Sequence, residues 1–123
     1  MLKQKGTVMA LPSFDVELAL REPMRLSTEE LSQMKSGFLI EDRSENGWGF
    51  VLRTPKNSGE TLKEILQALV DACEPFEACI ARCKPVLRVA AFSPNATCTV
   101  WVDEVSFIAK ICASLEVSVY PID

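Results

Sequence analysis

The sequence predicts an α+β fold, in which a mostly antiparallel sheet is packed by helices. Two observations carry this prediction. A stripe of apolar residues at helical spacing runs through the middle of the chain, and short segments of alternating apolar and polar residues lie before and after it. Periods of 3.6 and 2 residues are typical of helices and strands that each bury one face. We therefore expect the stripe and the strands to share one core.

The first strand is predicted over Phe14 to Leu20. Every second residue of this segment is apolar, namely Phe14, Val16, Leu18 and Leu20. Asp15 and Glu17 lie on the opposite face of a strand with this period. Because acids are seldom buried, we expect both carboxylates to be solvated.

A short helix and a hairpin are predicted next. Ser27 or Thr28 can cap the helix, since acidic residues follow in its first turn, where the helix dipole favours them. The hairpin joins strands at Phe38 to Asp42 and Trp48 to Arg53. The intervening Asn46-Gly47 pair supplies the positive φ that hairpin turns require.

A long helical segment is predicted from Ser58 to Cys83. Its apolar stripe comprises Leu62, Ile65, Leu66, Leu69, Val70 and Cys73. Asn57 or Ser58 can cap its start. Pro75 has no backbone N–H and clashes with the preceding turn, so we expect a kink or a restart there, and Pro85 ends the segment.

The last part of the chain predicts two strands, a helix and a final strand. The strands are Val86 to Phe92 and Thr97 to Val102, and the final strand spans Val117 to Tyr120. The helix is capped by Asp103 and places Val105, Ile108, Cys112 and Leu115 on one face. The first six elements of the chain follow the βαββαβ order of ferredoxin-like folds, and a C-terminal β-α-β extension follows that core.

The length of the chain predicts one domain. Its 123 residues are enough for one core, and no linker rich in Gly or Ser divides them. We expect residues 1–13 to form a flexible N-terminal segment and residues 14–123 to form the domain. No stretch reaches the ~20 apolar residues that span a bilayer, and the start of the chain lacks a signal-peptide core. The sequence therefore predicts a cytoplasmic protein.

The charge balance indicates the kind of partner. The formal net charge is -4, whereas nucleic acids and anionic membranes are bound through a basic field. We therefore expect neither of these partners, and a basic protein suits the chain better.

The five cysteines are odd in number and scattered over predicted helices and a strand. This layout differs from a secreted disulfide scaffold and favours small buried thiols in a reducing cell. Cys79 and Cys83, four residues apart, could instead contribute to a zinc site or a redox pair. Their spacing lacks the two-residue knuckles of zinc sites, and the chain has no His to complete a ligand set. We expect no metal and no cofactor.

Carboxylates and aromatic residues supply the remaining candidates for function. Paired acids such as Asp103 and Glu104 can divide acid and base roles only where burial separates their pKa values, so capping or solvation is the simpler interpretation. Trp48 and Trp101 with neighbouring arginines favour a protein interface, since Trp and Arg dominate such surfaces. Alternatively, Trp48 closes one end of the core while Arg53 and Arg88 pair with the acids of the first strand.

Several packing patterns resemble the bacterial family known as domain of unknown function 4279. The similarity covers Phe14 to Tyr120: the strand Phe-Asp-Val-Glu-Leu, the helix entered at Ser27, the strand led by Trp48, and the long helix followed by a Pro. The acidic segment from Phe38 to Glu45 departs from the basic, Gly-containing segment common in that family. The resemblance implies a small cytoplasmic α+β protein without an established activity, of the kind that often serves as an immunity protein against a toxin.

The leading hypothesis is a non-enzymatic protein-binding domain, an immunity-type inhibitor of a basic toxin domain. The candidate partner-binding residues are Asp15, Glu17, Glu41, Asp42, Glu45 and Trp48. One alternative is a small-molecule sensor or enzyme subunit with a pocket between the sheet and the kinked helix near Pro75. Another is a structural homodimer formed through an unpaired sheet edge.

Overall fold

The computed structural model describes residues 13–55, 61–94, 100, 105–112 and 114–121 and shows an α+β fold. Its strands are β1 (Ser13–Leu20), β2 (Leu39–Arg43), β3 (Gly49–Arg53), β4 (Pro85–Ser93) and β5 (Ser114–Pro121). Its helices are α1 (Thr28–Met34), α2 (Leu62–Cys73), α3 (Glu77–Arg82) and α4 (Val105–Ile108). The predicted fold class is therefore confirmed at the level of an α+β protein with a mixed sheet.

The five strands form one sheet in the order β2-β3-β1-β4-β5. The pairs β2–β3, β3–β1 and β1–β4 are antiparallel, and β4–β5 is parallel. The parallel pair follows from the connection through α4, since parallel neighbours need a crossover rather than a tight turn. Among the described strands, β2 and β5 form the two edges of the sheet.

The core lies between the helices and one face of the sheet. All six residues of the predicted α2 stripe are buried, as the 3.6-residue period indicated. On the sheet, Leu18 of β1, Leu52 of β3 and Leu87 of β4 are neighbours in register and are fully buried against the helices. Residues of α1, α3 and α4 complete the same cluster. The helices therefore cover one face, and alternate residues of the strands point to the other.

Both longer helices begin at capping boxes that satisfy otherwise unpaired amides. In α1, the Ser27 hydroxyl accepts from the Glu30 amide while the Glu30 carboxylate accepts from the Ser27 amide. In α2, Thr61 and Glu64 do the same. The predicted cap at Ser27 is thus confirmed. The predicted caps at Asn57 and Ser58 lie outside the described residues, and the cap that the structure shows is three residues further on.

The long helical segment breaks where the proline was expected to break it. A 3-10 turn, Glu74–Phe76, separates α2 from α3. At the end of α3, Lys84 adopts a positive φ of 52° that reverses the chain, and β4 begins at Pro85. The kink thus allows α2 and α3 to pack on the same face of the sheet.

Two glycines form the turn of the β2–β3 hairpin. A 3-10 turn, Ser44–Asn46, is followed by Gly47 with φ 80°, which confirms the predicted hairpin and its turn residue. Gly49 also has a positive φ, 71°, and a Cβ there would lie 2.0 Å from the Leu20 carbonyl oxygen. Any larger residue at Gly49 would therefore push β3 away from β1.

The C-terminal part differs from the sequence prediction. The helix α4 ends at Ile108, and Leu115, which was expected on that helix, lies in β5 opposite Leu87. Pairing with β4 along eight residues overrides the helical spacing of a few apolar positions. The predicted strand Thr97 to Val102, except Val100, and the cap at Asp103 lie outside the described residues, as does nearly all of the predicted flexible segment 1–13. Val100 packs against the core.

The described helices are short. None of them combines the length and apolar character that crossing a bilayer requires.

Replacing Leu69 by Ala should lower the free energy of unfolding by about 2 to 5 kcal/mol, because Leu69 is fully enclosed between α2 and the sheet. Urea unfolding followed by circular dichroism measures this change. The matched control is Lys63→Ala on the exposed face of the same helix, which should change stability by less than about 0.5 kcal/mol. Equal effects of the two substitutions would mean that the stripe does not face the sheet.

Candidate functional site

The face of the sheet opposite the core carries charged side chains in a row across neighbouring strands; we call it the open face. Glu17 of β1 lies opposite Arg88 of β4, and Arg88 lies opposite Glu116 of β5. On β3, Leu52 is the antiparallel partner of Leu18, so the next residue, Arg53, lies opposite Glu17. Glu17 therefore has Arg88 on one neighbouring strand and Arg53 on the other. Charges of opposite sign therefore alternate across four strands, which is the favourable arrangement for cross-strand pairs.

Glu17 is the centre of this row and is only 8% exposed. Its carboxylate accepts hydrogen bonds from Arg43 Nη1 at 2.9 and 3.1 Å and from Arg88 Nη1 at 2.6 Å. The expectation that Glu17 is solvated is therefore wrong. A carboxylate can be buried when guanidinium groups replace its hydration, and the predicted pairing of Arg88 with Glu17 is the reason that it can lie there.

Further ion pairs extend the row. Arg43 also binds Glu41 at 2.7 Å, and these hydrogen bonds hold the pKa of Glu41 below its usual range. Arg88 also binds Glu116 at 3.0 Å. Arg53 pairs with the half-buried Asp15, as the sequence predicted. Three arginines and four carboxylates thus nearly balance, and Asp15, Glu17 and Glu41 do not form a free acidic surface.

Trp48 lies on the same face at the end of the hairpin. The guanidinium of Arg88 lies 4.0 Å from the centroid of the Trp48 ring, and the guanidinium of Arg21 lies 5.2 Å from it. At these distances a cation is attracted to the ring. Arg21 also donates to the Gly47 carbonyl at 3.2 Å. The half-buried ring is not part of the core cluster, so Trp48 does not close one end of the core. It belongs with the row of ion pairs on the open face, and we call the row and Trp48 together the charged layer. Trp101 lies outside the described residues.

A shallow cavity of about 250 Å³ lies on the open face between the charged row and an aromatic pair. Phe92 and Tyr120 form that pair, with ring centroids 5.3 Å apart. The polar groups around the cavity, including Glu17, Arg43 and Arg88, already bind one another. A ligand entering this cavity would have to compete with these ion pairs.

Two of the candidate acids differ from the others. Asp42 and Glu45 lie at the tip of the hairpin, and both are exposed. Asp42 accepts a hydrogen bond from the Ser44 amide at 2.9 Å, and hydrogen bonding to Ser44 holds the pKa of Asp42 below its usual range. Among the described residues, no cation forms a salt bridge with either carboxylate. No cation in the described part of the chain therefore compensates the negative charge of these two acids.

An apolar groove of about 410 Å³ borders this hairpin tip. It is lined by Pro23, Met24, Leu26, Ser27, Thr28, Leu31, Ser44 and Phe50. Met24 is 78% exposed and lies on a 3-10 turn, Pro23–Arg25. Asp42 is the cross-strand partner of Phe50 and so points to the same side of the sheet. We refer to this feature as the Met24 groove.

The Met24 groove was not predicted from the sequence. Met24 lies between Pro23 and Arg25 and belongs to no helical or alternating pattern, and Phe50 lies 26 positions further along the chain. A single exposed apolar residue beside a proline is the one local signal, and such residues are common on surfaces.

The space between the sheet and the kinked helix is filled with side chains. Residues of α2 and α3 pack directly on β1, β3 and β4, and Phe76 of the kink contacts Phe38 with ring centroids 6.2 Å apart. The predicted pocket beside Pro75 would have to open within this packed region.

The cysteines behave as packed thiols where they are described. Cys73, Cys79 and Cys83 are buried, and burial raises the pKa of each, that of Cys73 to about 12. The Cys79 thiol donates to the Phe76 carbonyl and the Cys83 thiol to the Cys79 carbonyl. Cys98 lies outside the described residues. Within the described part of the chain, no three Cys, Asp or Glu residues are grouped so that they could hold a metal ion.

Comparisons of the chain with protein-family models, with curated proteins and with solved structures found no match. The resemblance to the domain of unknown function 4279 family stays a prediction from the residues.

The raised pKa of Cys73 predicts a loss of stability in alkaline solution. The unfolded thiol ionises near pH 9 and the folded one near pH 12, so above pH 9 the unfolded state binds fewer protons and the free energy of unfolding falls. The stability that comes from keeping the Cys73 thiol protonated in the folded state is fully present below about pH 9. Above that pH it is lost by up to about 1.4 kcal/mol per pH unit.

Unfolding curves of the wild type and Cys73→Ala at pH 8, 9 and 10 measure this effect. The stability difference between the two proteins should shrink as pH rises, because only the wild type carries the buried thiol. Val70→Ala, which makes a cavity without removing an ionisable group, should keep a constant difference from the wild type. A constant difference for Cys73→Ala as well would show that its thiol ionises normally in the folded protein.

Proposed function

We propose that this protein is a non-enzymatic binding domain that captures a basic protein at the tip of the β2–β3 hairpin. The observation that carries the proposal is the position of the Met24 groove beside two acids, Asp42 and Glu45, whose charges no described cation balances. An exposed apolar groove next to uncompensated charge is typical of interaction sites.

The groove and the acids have separate roles in this proposal. The groove receives an apolar side chain of the partner, and the flexible thioether of Met24 adapts to its shape. The carboxylates of Asp42 and Glu45 attract the basic surroundings of that side chain and increase the rate of encounter. The net charge of -4 acts in the same direction.

The other four candidate residues have a supporting role. Asp15, Glu17 and Glu41 bind arginines, and Trp48 stacks on Arg88. These contacts join β2, at the hairpin, to β1 and β4. A rigid hairpin loses less conformational entropy on binding, so we assign the charged layer the task of holding the contact surface in place.

Two finer points belong to the same proposal. The order β2-β3-β1-β4, with antiparallel neighbours and helices on one face, supports a ferredoxin-like core to which β5 is added. The resemblance noted in the sequence adds that the partner is a toxin domain and that binding inhibits it. The acidic hairpin supports this refinement, because toxins that act on nucleic acids present a basic surface.

The proposal predicts separable effects of charge and packing. The full-length chain is used to isolate a partner from lysate of its source cells, and binding of that purified partner is then measured by surface plasmon resonance at several salt concentrations. Glu45→Lys should slow association and weaken its salt dependence. Met24→Ala should mainly speed dissociation, by about tenfold for a loss of roughly 1.4 kcal/mol.

Two control variants test the location of the contact. Glu74→Lys makes the same change in net charge on an exposed residue at the end of α2, and Leu39→Ala removes an exposed apolar side chain from the other face of the hairpin. Both should bind like the wild type. If Glu45→Lys and Met24→Ala also bind like the wild type, the Met24 groove is not the contact surface.

A further inference from the structure

The strand β5 is a long edge of the sheet with few charged groups. It spans eight residues, Ser114–Pro121, and pairs with β4 along its whole length. Its single charged residue is Glu116, whose carboxylate is held by Arg88. In the order of the described strands, β4 is its only neighbour. Since no described strand pairs with its other side, that side has a row of backbone N–H and C=O groups that could pair with another strand.

The opposite edge of the same sheet is different. The strand β2 has five residues, and three of them, Glu41, Asp42 and Arg43, are charged. Short strands with charged side chains are the usual means by which proteins prevent an edge from pairing with another chain. One edge of this sheet thus has that protection and the other does not.

The side chains of β5 add an apolar surface to this edge. Leu115, Val117 and Val119 lie on the helix side of the sheet, in register with the buried residues Leu87 and Val89 and with Ala91. Nevertheless they are 41%, 42% and 49% exposed. The helices therefore leave the last strand partly uncovered on its apolar side.

We propose that β5 pairs with β5 of a second copy of this chain, antiparallel and around a two-fold axis perpendicular to the sheet. Such an axis keeps the helix side of both copies on the same side, so the two sheets join into one sheet of ten strands. The contact is self-complementary, as two-fold interfaces must be.

The sequence of β5 selects one register for this pairing. With Val117 on the axis, Val117 lies opposite its own copy, and Leu115 lies opposite Val119, so all three apolar residues of each copy meet apolar residues. Glu116 then lies opposite Ser118. A register centred on Glu116 would place two like charges directly opposite each other, which is destabilising.

This charge pattern is the reason for choosing a second copy as the occupant. A strand from a basic partner would be attracted by free acids, but the only acid of β5 is already neutralised by Arg88. A contact limited to one strand and its side chains is at the low end of the interface sizes that give stable complexes. The dimer is therefore expected to be weak and to dissociate on dilution.

Sedimentation velocity of the purified full-length chain over a concentration series, from about 1 to about 500 μM, measures this equilibrium. The wild type should shift from monomer to dimer as concentration rises. Val117→Lys places two ammonium groups together on the axis and should raise the dissociation constant at least about 30-fold. The matched control, Leu39→Lys, puts the same charge on an exposed apolar residue of the β2 edge and should dimerise like the wild type.

A second variant keeps the test independent of the folding of Val117→Lys. Residues paired across an antiparallel ladder have Cα atoms about 4.5 to 5.5 Å apart, within reach of a disulfide. Val117→Cys should therefore form a covalent dimer under mild oxidation, and Leu39→Cys should not. Two results would overturn the proposal: a wild type that stays monomeric throughout the series, or a dimer that Val117→Lys does not weaken. The wild type would stay monomeric if the rest of the chain or another protein covers the β5 edge.

Discussion

The burial of the Glu17 carboxylate determines how the open face of this sheet is organised. Removing a carboxylate from water costs several kcal/mol unless charged donors replace the lost hydration. Arg43 and Arg88 replace it here, from the two sides of β1. Because each of these arginines binds a second acid, and Arg88 also stacks on Trp48, one buried charge connects β1, β2, β4, β5 and the end of the hairpin.

This charged layer contains three of the six candidate partner-binding residues as neutralised carboxylates and leaves out Asp42 and Glu45, the two acids that we propose bind a partner. Asp15, Glu17 and Glu41 are neutralised within the sheet, whereas Asp42 and Glu45 are exposed at the hairpin tip and form no salt bridge with a described cation. The Met24 groove lies beside the free acids, and the apolar edge of β5 lies at the other end of the sheet. The two contact surfaces that we propose therefore do not overlap.

Features that depend on nearby residues could be predicted from the sequence. The box formed by Ser27 with Glu30 spans four residues, and the α2 stripe repeats within twelve. The break at Pro75 and the turn at Gly47 follow from the chemistry of single residues. By contrast, the partners of Glu17 lie 26 and 71 positions away along the chain. Alternation alone placed Glu17 on the outer face of β1, and a pairing of Arg88 with the acids of that strand was one of two interpretations. The structure shows that this pairing forms and adds Arg43, which was not predicted as a partner of Glu17. The same limit explains the misplacement of Leu115, whose strand partner Leu87 lies 28 positions earlier in the sequence.

A double-mutant cycle between Glu17 and Arg88 tests most directly whether this buried charge organises the sheet. The free energies of unfolding of the wild type, Glu17→Gln, Arg88→Met and the double variant give the coupling energy. We expect a coupling of at least about 1 kcal/mol, because either single change leaves the other group partly buried without its partner. The control cycle pairs Glu45→Gln with Arg88→Met and should be additive. A Glu17–Arg88 coupling below about 0.3 kcal/mol would contradict the central role of Glu17.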